Sequence, residues 1–138
     1  MTKQTENQPV HTADLPHNFR RIRMELAREP GHPMGSARIG YTFLAPLDEN
    51  GKIDAETWKS HRDACRVVRF RPDEDDDIGH LVRRPGGSWA FRYDITGDED
   101  DEAGYRFGDE RFEVGEYVSV REDDGMHTFR VVSVELPD

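Results

Sequence analysis

The stretch that most constrains the fold is Phe112 to Val134, FEVGEYVSVREDDGMHTFRVVSV. Two alternating runs flank Asp124-Gly125, and Gly in a tight hairpin turn adopts positive φ without strain. A two-residue turn there opposes Val120 to Phe129 and Val118 to Val131. Directly opposed residues share a sheet face. One face then carries Val118, Val120, Phe129 and Val131, and the other Tyr117, Ser119, Arg121, Thr128, Arg130 and Val132. A three-residue turn would oppose Val120 to Thr128 and Val118 to Arg130, scattering the apolar set. Gly115-Glu116 reads as a corner or bulge before the hairpin.

The same period of two recurs upstream. Residues 19–28 (FRRIRMELAR) place Ile22, Met24 and Leu26 on one side and Arg21, Arg23 and Glu25 on the other, a half-buried strand with a basic outer face. Residues 37–45 align Ile39, Tyr41 and Phe43. Arg66 to Arg71 looks extended, and Ile78 to Arg84 is a short strand. Trp89, Phe91, Tyr93 and Ile95 alternate with Ala90, Arg92 and Asp94. Glycine, proline and acidic stretches separate these runs, as at Glu29 to Gly35, Asn50-Gly51 and Pro85-Gly86-Gly87.

One helix is expected. Asp54 can cap it, Glu56 suits its first turn, and Trp58, His61 and Cys65 recur at helical spacing up to an end near Ala64. It is short enough to cover a barrel end. The fold class expected is mainly β: a small antiparallel barrel or sandwich of about seven or eight short strands with one short helix. Residues 1–16 read as a disordered tail without the features of a signal peptide, and 17–138 as a single β-rich domain.

Charge narrows the partners. The chain carries a net charge of −10, placed unevenly. Residues 1–71 hold 12 basic against 9 acidic residues, and 72–138 hold 7 against 20. This balance disfavours a general nucleic-acid binder, which needs clustered cations, although a local basic face survives. The single cysteine, Cys65, excludes an intramolecular disulfide and suits a reducing compartment. A cytoplasmic location is expected, and the sequence has no apolar run of about 18 residues that would span a membrane.

The candidate chemistry is sparse. His61 and Cys65 present half a zinc site or a nucleophile–base pair. His80, His32 or His127 would have to complete the metal site, and no motif joins them. A cysteine packed beside Trp58 is the simpler reading. The acidic runs Asp73–Asp77 and Asp98–Glu102 lack calcium-loop spacing and read as solvated loops. Trp89, Phe91 and Tyr93 could stack bases, but aromatics on one strand face more often fill a core. No phosphate-cradling glycine loop occurs. Neither a cofactor nor a metal is expected.

Gly104-Tyr105-Arg106-Phe107-Gly108, Gly115-Glu116-Tyr117-Val118-Ser119 and Phe129-Arg130-Val131-Val132 resemble segments of small bacterial proteins with no assigned activity. The resemblance extends to Ala45-Pro46-Leu47-Asp48 and His61-Arg62-Asp63-Ala64-Cys65. It implies a bacterial source and a stand-alone domain, and carries over no site residues. Phe112 to Val120 also echoes the first strands of flavin-binding reductase barrels, but the Arg-x-Tyr-Ser flavin motif is missing.

The leading expectation is a non-enzymatic binding or interaction module for a protein or small ligand. Its surface would be the basic face of Arg21, Arg23 and Arg38, or exposed aromatic residues near the helix, against a partner of opposite charge or an apolar patch. A second reading is a small-molecule-binding or catalytic barrel with a pocket near Trp58, His61, Arg62 and Cys65. A third is a nucleic-acid binder or an acidic nucleic-acid mimic.

Overall fold

The computed structural model describes residues 15–94 and 105–137. Its strands are β1 (Phe19–Leu26), β2 (Ser36–Pro46), β3 (Arg66–Phe70), β4 (Asp77–Arg83), β5 (Trp89–Tyr93), β6 (Tyr105–Phe107), β7 (Tyr117–Glu122) and β8 (Gly125–Glu135). Each pairs antiparallel with its neighbour in sequence, and β8 returns to β1, closing an eight-stranded barrel. The barrel, not the sandwich, is therefore the architecture. Eight strands leave an interior about wide enough for side chains to fill.

Alternation decides what fills it. Ile22 and Met24, Tyr41 and Phe43, Val118 and Val120, and Phe129 and Val131 are all buried. Phe91 sits among rings, with centroids 4.9 Å from Tyr41, 5.1 Å from Phe43 and 4.8 Å from Phe107. Phe112, before β7, packs edge-on against Phe43.

The C-terminal hairpin keeps its expected faces but not its register. Val118 opposes Phe129 and Val120 opposes His127, because the loop is Asp123-Asp124 and the flanking pair is Glu122 with Gly125. The positive φ falls at Gly125, at 127°, and neither aspartate adopts one. The turn thus moves back by one residue and the pairing by two. An even shift leaves every side chain on its original face, so the apolar quartet could not detect it.

Helix α1 (Ala55–Ser60) is shorter than expected and gives way to a 3₁₀ turn (Arg62–Ala64). Asp54 caps α1, accepting from Thr57 N at 3.2 Å, as the sequence implied. Trp58 is buried at one barrel end, where its indole stands edge-on to Trp89 at 5.3 Å and Nε1 donates to Leu81 O at 3.0 Å. Residues 1–14 of the expected tail, Ile95 and the acidic run Asp98–Glu102 lie outside the described residues. Leu15, near the end of that tail, packs against the core. Among the described residues no helix is long and apolar enough to cross a membrane.

Candidate functional site

The basic residues expected on β1 and β2 do lie on the outer face, but they differ in availability. Arg23 is engaged: Nε meets Glu25 at 2.9 Å, Nη2 donates to Ala37 O at 3.0 Å, and the guanidinium covers the Phe70 ring at 4.3 Å. Gly40 makes room for that stack, since a Cβ there would stand 2.9 Å from Phe70 and 2.1 Å from Met24 O. Arg21 also has a partner. Arg38 is exposed. Among the described residues no carboxylate lies within ion-pair distance of Arg28, Arg38 or Arg130.

The helix set separates by burial. Trp58 and Cys65 belong to the core. The Cys65 thiol donates to the His61 carbonyl oxygen at 3.5 Å, and burial pushes its pKa up to about 12. The His61 ring turns elsewhere, with Nδ1 3.1 Å from Thr57 O and its edge against Phe19. Arg62 is exposed and lies over the Trp58 indole at 5.2 Å. His61 and Arg62 line a shallow groove of about 490 Å³ with Leu15 and Lys59, which Cys65 does not reach.

A larger groove of about 630 Å³ crosses the outside of β1 and β8 and the β1–β2 connection. Glu25, Arg130 and Tyr117 form a cross-strand row along its floor, β8 lying between β1 and β7. Met34, 88% exposed, and Tyr117, 59% exposed, bring apolar surface to it beside Val132. Arg28 and Arg130 supply positive charge that meets no carboxylate among the described residues.

The barrel mouth opposite α1 is polar. Inward alternation continues from Val67 to Arg69, Phe91 to Tyr93, Phe107 to Tyr105, Val120 to Glu122 and Phe129 to His127. Arg69 stands at the centre. It reaches Glu122 at 3.3 Å, the Tyr105 hydroxyl at 3.0 Å, and Asp77, its register partner on β4, at 3.4 Å. The Glu122 side chain is only 8% exposed and also accepts from the Tyr41 hydroxyl. Tyr105 donates to Asp123 at 2.9 Å. Burial, together with that contact, pushes the Tyr105 pKa up to about 12, and burial raises those of Tyr41 and Tyr93 further. These hydroxyls are therefore donors throughout the physiological range. Among the described residues the buried Tyr93 hydroxyl has no hydrogen-bond partner.

His127 closes the mouth. Nδ1 lies 3.0 Å from Glu29 Oε1 on the β1–β2 connection, and Nε2 lies 2.7 Å from Asp124. Burial opposes the imidazolium, but the hydrogen bonds to Glu29 and Asp124 outweigh it and raise the pKa. The acidic run Asp73–Asp77 wraps Arg71, with Glu74 at 2.7 Å and Asp77 at 2.9 Å. Of this polar ring the sequence suggests His127 only as a completing zinc ligand, Tyr93 as a stacking or core aromatic and Asp77 as part of a solvated loop, and it gives Arg69 and Glu122 no role. Its signal was the inward parity of charged residues at strand ends.

No protein-family model, curated protein or solved structure matches this chain.

Proposed function

We propose that this protein is a non-enzymatic binding module that seats an extended, acidic polypeptide segment with apolar side chains in the groove over β1 and β8. One observation carries the reading: exposed Met34 and Tyr117 sit beside Arg28 and Arg130, which meet no carboxylate among the described residues, on a chain whose net charge is −10. Apolar patches rimmed by charge are where partners dock, and charge complementarity steers them. Glu25, the one carboxylate along the groove, is already held by Arg23. An enzymatic reading finds less support. The Cys65 thiol is buried and protonated, and its hydrogen bond goes to a backbone carbonyl rather than to the His61 ring.

The test is fluorescence anisotropy with a labelled peptide of alternating Glu and Leu. Binding should weaken with added salt, because exposed charges are screened beyond about 8 Å at physiological ionic strength. The charge-reversed pair R28E/R130E should lose at least about tenfold in affinity, or 1.4 kcal/mol. Affinity unchanged in R28E/R130E, or an oligonucleotide that displaces the peptide at equal charge, overturns the reading.

A further inference from the structure

We propose that Glu122, Asp124 and His127 form a site for one divalent cation of the zinc class. Strand β7, the hairpin turn and β8 each supply one ligand, and one donor atom from each lies within 4.8 Å of the other two. Nε2 of His127 faces Asp124 Oδ1 at 2.7 Å and Glu122 Oε1 at 3.9 Å. Imidazole nitrogen with carboxylate oxygen is a donor set that zinc accepts, and a fourth position stays open to water. Calcium needs about six to eight oxygens, more than this trio offers.

A different element supports the assignment. Glu29, on the β1–β2 connection, meets the opposite nitrogen Nδ1 at 3.0 and 3.2 Å. A carboxylate on the far nitrogen fixes the tautomer and ring orientation and raises the basicity of the ligating nitrogen. With Nδ1–H donated to Glu29, a neutral ring turns the Nε2 lone pair toward two carboxylates. A cation at Nε2 would be shared with Asp124 Oδ1 and with Glu122 Oε1, which also lies 3.3 Å from Arg69 Nη2. The surrounding charge agrees. Glu29, Glu122, Asp123 and Asp124 all contact His127, Arg69 or Tyr105, and Arg69 is the cation at the centre of that network. Glu122 is already positioned, because Tyr41 and Arg69 hold it within the mouth. Asp124, 74% exposed, leaves a path from solvent.

Titration calorimetry of the full chain with zinc chloride tests the site, with calcium and magnesium chloride as comparisons. One zinc should bind more tightly than either alkaline-earth ion. H127Q and D124N should each weaken zinc by at least about tenfold, and E29Q, which leaves all three ligands in place, by about tenfold or more through the lost orientation. Zinc should also shift the His127 Nε2 resonance in nitrogen NMR. Asp124 lies in an exposed turn, so D124N decides the matter if H127Q does not fold. Absence of zinc binding overturns the proposal. So does affinity unchanged in D124N, or calcium binding as tight as zinc that persists in H127Q. The groove arginines take no part, so R28E/R130E should bind zinc as the unaltered chain does.

Discussion

The two ends of the barrel are closed by opposite chemistry. At one end α1 lays Trp58 against Trp89 in an apolar core whose indole and Cys65 thiol donate to the backbone carbonyls of Leu81 and His61. At the other, Arg69, Glu122 and three tyrosine hydroxyls occupy the same inward positions. Apolar closure depends on shape and area, and tolerates any side chain that fills the space. Polar closure depends on every group finding its partner, because an unpaired buried charge costs more than the pair contributes. The plugged end is therefore a stability device. The mouth holds its donors and acceptors in fixed places, which is what a binding site requires.

Substitutions at the two ends should separate these modes. The largest effect belongs to Trp58→Ala, which empties a core position and should cost about 3–5 kcal/mol in urea unfolding. Arg69→Met should follow at about 2–3 kcal/mol, since it strands Glu122 in a part-open mouth. The double variant R69M/E122Q should recover most of that loss. If the double variant is as unstable as R69M, the mouth is closed by packing and the contrast fails. Next come two tyrosines of one ring pair, 5.3 Å apart. Tyr105→Phe should cost about 1–2 kcal/mol through its charged acceptor, whereas Tyr93→Phe removes a hydroxyl with no partner among the described residues and should be close to neutral.

The smallest effect returns to the plugged end. Asp54→Ala removes the cap of α1 and should cost about 1 kcal/mol near neutral pH. The hydrogen bond from Thr57 holds the Asp54 pKa below its ordinary 3.8. A lowered folded-state pKa contributes stability above the unfolded value and loses it as pH falls through the folded one. The penalty of D54A should therefore shrink in acid, and a penalty constant from neutral pH down through that range would show that the cap acts through something other than its charge.

The sequence was informative where periodicity meets water on one side only. The inward faces of β1, β2, β7 and β8 were legible because their outward positions are polar. The hairpin register was not, since a shift of two residues preserves every face. The closing pair β1–β8 joins strands about a hundred residues apart, and no local pattern reports such a contact. The mouth was hidden for another reason. Arg69, Glu122 and His127 stand two residues from buried Val67, Val120 and Phe129, in phase with them, but charged residues at strand ends read as the point where a strand meets solvent. Only the closed ring turns those positions inward.

One seam of the barrel is thin. Among the described residues β6 spans Tyr105–Phe107, and β6 and β7 share one registered pair, Arg106 with Arg121, where β7 and β8 share six. By comparison, β2 and β3 share four registered pairs. Opening should therefore begin at this seam: its amides should exchange with solvent earliest, and an unrelated strand could be added to the sheet there at the least loss of native pairing.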